Sequence, residues 1–170
     1  MAIWTPFEGC LEPRRASAAS ASPAARPLPS HGASEAPSML VPRQILLADD
    51  DDNVRCGVAE LLSDLGIESL HAETGREALE IVRSKPVHAC LLDLQMPECG
   101  GLEALPLIRQ ARADLPCLVY SGSLNELLER EALRIGAFAV LRKPVQPHVL
   151  RQQICRALGL PPPPPPVVHA

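Results

Sequence analysis

The sequence predicts an α/β protein, an open, doubly wound parallel sheet of five strands alternating with five helices. Three observations carry that prediction. Short apolar runs of strand length recur between residues 43 and 159, and after each comes a stretch with apolar residues at helical spacing. The connections are short, as expected where strands run parallel with helices on both faces. Hydrophobic residues make up 46% of the chain but aromatics only 2%, so the core must be aliphatic.

The elements follow in order. "QILLA" (44–48) is a continuous apolar run, as a strand buried on both faces requires. Val54, Val58, Leu61, Leu62 and Leu65 then recur at helical spacing, with Gly66 placed to stop the helix. "IESLHA" (67–72) alternates like a strand near an edge. "TGREALEIVRS" (74–84) is a helix with Thr74 as N-cap and Glu77 three residues on. "VHACLLD" (87–93) is the third strand, and "LEALPLIRQAR" (102–112) the third helix. Pro106 must sit in its first turn or kink it. "PCLVYS" (116–121), "LNELLEREALRIG" (124–136), "AFAVLRK" (137–143) and "HVLRQQICRALG" (148–159) complete the alternation.

Proline marks the boundaries. Six of the 19 prolines fall in residues 1–40 and six more form the run Pro161 to Pro166. Residues 1–40 are an Ala/Ser/Pro-rich leader with no apolar period, expected to be disordered because it cannot bury enough surface to offset ordering entropy. Residues 41–160 form the folded domain, and residues 161–170 a stiff, solvated polyproline tail. Met39 offers an alternative start just ahead of the folded segment, whereas Trp4 and Phe7 suit a leader that docks on a partner.

Net charge is −4, which argues against nonspecific nucleic-acid binding, since that needs a basic face. No window resembles a membrane span or a signal peptide, so the chain is expected to be soluble and cytoplasmic. The six cysteines (Cys10, Cys56, Cys90, Cys99, Cys117, Cys155) form no C-x-x-C pair and no zinc-ligand spacing. Cys90 and Cys117 lie in apolar runs and are expected to pack as small hydrophobes; Cys99, in a loop, is the one left open to a redox role.

In open parallel sheets, ligands bind beyond the carboxyl ends of the strands. Those ends carry the chemistry here. The first strand runs into Asp49 and Asp50, the third ends at Asp93, the fourth at Ser121 and the fifth at Lys143. Clustered carboxylates suit a hard divalent cation, and Mg²⁺ in particular takes one or two carboxylates together with phosphate oxygens. A lysine and a small hydroxyl can hold a phosphoryl group, and a carboxylate can accept one as an aspartyl phosphate. The run of four aspartates therefore divides: Asp49 and Asp50 belong to the site, while Asp51 and Asp52 begin the first helix, where negative charge is favoured.

Four pieces resemble the receiver domain of two-component response regulators: "ILLADDDD", "LLDLQMPECGGLEAL", "LVYSGS" and "VLRKPV". They stand in that family's order and spacing, and the resemblance covers residues 43–159. It implies a flavodoxin-like (βα)5 fold with strand order 2-1-3-4-5. It further implies that Asp93 is the phosphoacceptor. Asp49, Asp50, Asp93 and the backbone carbonyl of Gln95 would hold Mg²⁺, Lys143 would neutralise a phosphoryl oxygen, and Ser121 would bind another after the switch. Pro144 would follow a cis peptide bond. The donor would be a sensor histidine kinase or histidine phosphotransfer protein. Output would come from docking on a downstream protein, with no DNA-reading module and no membrane association, in a single-domain form.

The sequence departs from the family at Val140, where Tyr or Phe often stands three residues before the lysine and reports phosphorylation by rotating. Gln95 and Ser123 occupy positions that tune loss of the phosphoryl group in the family. Two other readings stand beside the phosphoacceptor: a pseudo-receiver acting only as an interaction module, and a Mg²⁺-dependent aspartyl-phosphate phosphatase. The phosphatase would need a second acid two residues after its nucleophile, where this chain has Gln95.

Overall fold

The structure, a computed structural model, describes residues 42–163. The proposed leader and all but the first three prolines of the tail lie outside the described residues, as does Cys10. Ten elements alternate: β1 (Arg43–Ala48), α1 (Asp52–Ser63), β2 (Ile67–Ala72), α2 (Gly75–Ser84), β3 (Ala89–Asp93), α3 (Gly101–Ala111), β4 (Cys117–Ser121), α4 (Glu126–Ile135), β5 (Ala139–Arg142) and α5 (Pro147–Leu158). The strands form one parallel sheet in the order β2-β1-β3-β4-β5. The chain reverses its direction of winding after β2, so the switch point falls between β1 and β3.

Strand alternation divides the core into two layers. Ile45, Leu47, Ala89, Leu91, Leu118 and Leu141 meet Leu62 of α1 and Leu150, Ile154 and Leu158 of α5. Leu46, Ala48, Cys90, Leu92, Cys117 and Val119 meet Ala78 and Val82 of α2 and Ala104, Leu105 and Ile108 of α3. The central strands β1, β3 and β4 are sealed on both faces, which is why their sequences read as unbroken apolar runs.

Local chemistry sets most element ends. Asp51 caps α1 by accepting the Asn53 amide, Thr74 caps α2 by accepting the Glu77 amide, and Asn125 caps α4 by accepting the Leu128 amide. Gly136 ends α4 at φ 110°, a backbone conformation that a side chain would strain. Three expectations are refined. Helix α1 ends at Ser63 with Asp64 as its cap, and Gly66 turns the chain two residues later. Pro106 lies in the second turn of α3, and the helix continues through it to Ala111. Strand β5 begins only at Ala139 and so excludes Phe138, which is 42% exposed beneath the Arg156 guanidinium of α5, 5.7 Å from its ring centre. Phe138 therefore sits at the end of β5 away from Lys143 and cannot stand in for an aromatic at Val140.

Cys90 and Cys117 are register partners on β3 and β4 and are fully buried, as small core residues should be. Burial, and then the neighbouring Glu103 charge, push the Cys99 thiol up, which works against a reactive thiolate in its loop. No helix among the described residues is long and apolar enough to cross a membrane.

Candidate functional site

The period of two along each strand decides which side chains meet. Leu47 and Leu91 face α1 and α5, so Asp49 and Asp93, two residues further on, return to the same side of the sheet. Leu118 precedes Tyr120, and Leu141 precedes Lys143, by the same step. Four polar side chains from four chain segments are thus delivered to one side of the sheet's carboxyl edge. Register places Asp93 beside Tyr120 and Tyr120 beside Leu141.

Asp49 and Asp93 are buried, at 1% and 4% exposure, while Asp50 is exposed at the rim. Carboxylate oxygens of these three residues lie within 4.8 Å of one another. The Lys143 ammonium bridges the two buried acids, donating to Asp49 Oδ2 at 2.8 Å and to Asp93 Oδ2 at 2.6 Å. The other oxygen of each acid accepts a backbone amide. Asp49 Oδ1 takes the Asp51 N–H at 2.9 Å, and Asp93 Oδ1 takes the Gln95 N–H at 3.1 Å. The Tyr120 hydroxyl, also buried, donates to Asp49 Oδ2.

These bonds set the protonation states. Burial alone would raise the Asp49 pKa. Hydrogen bonds from Lys143, Tyr120 and the Asp51 amide, with the Lys143 charge, outweigh it and hold the carboxyl below its ordinary value. Burial alone would likewise lower Lys143, but the two carboxylates win and hold the ammonium above its ordinary value. Burial, and then the bond to Asp49, raise the Tyr120 phenol, so it stays protonated and acts only as a donor.

The remaining residues that the sequence singled out make bonds of their own. Ser121 is fully buried at the end of β4, one step out of phase with Tyr120, and its Oγ accepts the Ser123 amide at 3.3 Å. The Gln95 side chain is exposed, as is Ser123. The Lys143–Pro144 bond is cis, as the resemblance implied. Asp51 and Asp52 start α1 as expected. The loop after Asp93 is held tight by Gly101, where a Cβ would stand 2.2 Å from the Asp93 carbonyl oxygen.

Two site neighbours were not singled out in the sequence. Tyr120 sits inside "LVYS" and reads there as an ordinary strand residue; its position next to Ser121, in phase with Leu118, is the available signal. Arg55 lies on α1 amid apolar helical spacing, where an arginine reads as a solvated charge. It is 4% exposed, donates to the Asp49 backbone carbonyl, and bridges Asp52 and Glu73 at 3.1 Å each. The acidic run therefore has two positive partners within the chain itself, Arg55 and Lys143.

Comparison with known proteins agrees with the geometry. Residues 45–155 match the response regulator receiver domain family, and the chain belongs to that family. It is 34% identical over 110 residues to the response regulator RR06 of Streptococcus pneumoniae, covering 65% of this chain and 50% of that protein. It is 32% identical over 126 residues to the regulatory protein AtoC of Escherichia coli, covering 74% of this chain and 27% of that one. The chain thus spans half or less of the length of these relatives. A 115-residue stretch is 37% identical to part of the CAI-1 autoinducer sensor kinase/phosphatase CqsS of Vibrio cholerae, covering 66% of this chain and 17% of that protein. Among solved structures, the receiver domain of NtrX from Brucella abortus superposes with a TM-score of 0.64 at 31% identity, covering 68% of this chain and 98% of that one. A CheY-like receiver domain protein from Methanospirillum hungatei gives 0.66 at 26% identity, covering 69% and 94%.

Proposed function

We propose that this receiver domain accepts a phosphoryl group on Asp93 from a phosphohistidine donor in a Mg²⁺-dependent transfer, and signals by docking on another protein. The observation that carries the reading is the Lys143 ammonium bridging Asp49 and Asp93 at 2.8 and 2.6 Å, beside three carboxylates whose oxygens lie within 4.8 Å. Three hard oxygen donors on a sheet edge fit a small divalent cation. Asp49, Asp50, Asp93 and the Gln95 backbone carbonyl would hold it. Once bound, the cation would supply charge neutralisation for the phosphoryl oxygens.

The chain's own residues account for the rest of the chemistry. An Asp93 oxygen attacks phosphorus, the P–N bond to the donor imidazole breaks, and the imidazole leaves with the bonding electron pair. Lys143 moves from the two carboxylates to a phosphoryl oxygen and neutralises charge there. Ser121 turns its hydroxyl from the Ser123 amide to another phosphoryl oxygen. Such catalysis is positioning and electrostatics, and the chain acts as an acceptor that is consumed in transfer rather than as a turnover enzyme. Donor candidates are a sensor histidine kinase or a histidine phosphotransfer protein; the receiver-like segment of a relative named as a sensor kinase/phosphatase supports that pairing. We place the domain in the cytoplasm, where such donors work, without direct DNA contact.

The test is incubation with acetyl phosphate and Mg²⁺, followed by intact mass, beside Asp93→Ala. One phosphoryl adduct that requires Mg²⁺ and is lost in the variant is the expected result. An adduct that persists in Asp93→Ala would overturn the assignment.

A further inference from the structure

We propose that Tyr120 is a positioning residue of the site, its hydroxyl fixing the Asp49 carboxylate and its ring holding the Lys143 ammonium. The inference deepens the phosphoacceptor reading and rests on it. Three observations carry it. The phenol is buried, and its hydrogen-bond partner is a carboxylate 71 residues away in sequence, on the sheet edge where the acids collect. The Lys143 Nζ lies 4.3 Å from the centre of the same ring, within cation–π range. Register sets Tyr120 beside Asp93, so one side chain touches or flanks Asp49, Asp93 and Lys143.

A core residue needed only for its volume would not require the hydroxyl, and a buried phenol without a partner would be costly. Here the hydroxyl completes a set of three donors on Asp49. Asp51 N–H is on Oδ1; Lys143 and Tyr120 are on Oδ2. Without the hydroxyl, Lys143 becomes the sole partner of Oδ2, and the carboxylate is free to turn toward the ammonium and away from a cation. The ring has a separate task. Tyr120 and Lys143 both line an apolar cavity of about 450 Å³, together with Val54, Val58 and Leu150. With the ring gone, Lys143 can tip into that space and lose its aim at the acceptor.

The two tasks separate by substitution. Tyr120→Phe keeps the ring and removes the hydroxyl. Mg²⁺ affinity, measured by isothermal titration calorimetry, should fall about ten- to 150-fold, the range expected for a hydrogen bond to a charged group. At saturating Mg²⁺ its phosphorylation rate with acetyl phosphate should fall less than that of Tyr120→Leu, because the ring still holds Lys143. Tyr120→Leu should show the same affinity loss plus a rate at saturating Mg²⁺ lower by about three- to tenfold, as loss of a cation–π contact implies. Tyr120→Met serves in its place if the leucine variant does not fold. Unchanged Mg²⁺ affinity in Tyr120→Phe would overturn the role of the hydroxyl. A parental rate in Tyr120→Leu at saturating Mg²⁺ would overturn the role of the ring. A parent chain that binds no Mg²⁺ defeats the phosphoacceptor reading itself, and this inference with it.

Discussion

Replacing Asp50 with asparagine should make the metal-free protein more stable than the parent and the metal-loaded protein less stable. Asp50 brings a third negative charge to within 4.8 Å of Asp49 and Asp93. Two unit charges at that distance repel by about 0.9 kcal/mol in water and about 3.5 kcal/mol at an effective dielectric constant of ~20. Asp50 is exposed, so the lower figure governs each pair, and the Lys143 ammonium beside the other two acids offsets part of the sum. The net relief on neutralising Asp50 is about 1 kcal/mol, worth roughly 3–6 °C in Tm for a domain of this size. Mg²⁺ reverses the order. At a hundred times its Kd, a ligand specific to the folded state adds about 2.7 kcal/mol, and the variant forfeits most of that by losing a ligand. Urea unfolding in EDTA and again in excess Mg²⁺ reads both halves, and the two curves should exchange places. A variant less stable than the parent in EDTA, or one that gains the full Mg²⁺ increment, would show that Asp50 neither repels the other two acids nor binds the cation.

Two further predictions follow from the geometry. Asp49 is held below its ordinary pKa, so its contribution to stability is present above about pH 4 and is lost as pH falls through the lowered folded value. Lys143 is held above its own, so its contribution is complete below about pH 10.5 and disappears as pH rises through the raised folded value. Urea unfolding across pH should show both limbs, and Asp49→Asn should flatten the acid one; an unaltered acid limb would contradict the assignment. Two glycines should respond with opposite signs. Gly101→Ala forces a Cβ against the Asp93 carbonyl and should cost about 1–3 kcal/mol, whereas Gly57→Ala, on the exposed face of α1 with nothing within 4 Å, should gain about 0.5–1 kcal/mol. Equal effects at the two positions would show that close backbone approach does not hold the Asp93 loop.

What could be read from the sequence was whatever repeats with a fixed period. Strands buried on both faces leave apolar runs such as "ILLA" and "CLL", and the residues that end them, Asp49 and Asp93, follow directly. Element ends were less legible, because capping is decided by one or two bonds. Asp64 rather than Gly66 caps α1, and Pro106 is tolerated a turn deeper than its missing N–H suggested. Tyr120 and Arg55 stayed hidden for a different reason. Each is a residue whose role is set by a partner distant in the chain. Tyr120 reaches Asp49 across β3, and Arg55 of α1 reaches Glu73 in the β2–α2 connection. Composition and spacing record neither contact. Phase along the strand does record which face Tyr120 occupies, and that same phase links Leu47 to Asp49 and Leu141 to Lys143.

The most direct test of the central claim is to locate the phosphoryl group in the chain. After phosphorylation with acetyl phosphate and Mg²⁺, borohydride reduction converts an aspartyl phosphate to homoserine, and peptide masses then give its position. The change is expected at Asp93, on the peptide that carries "LLDLQMP", with Asp49 and Asp50 unaltered. A homoserine at Asp49 or Asp50, with Asp93 intact, would contradict it.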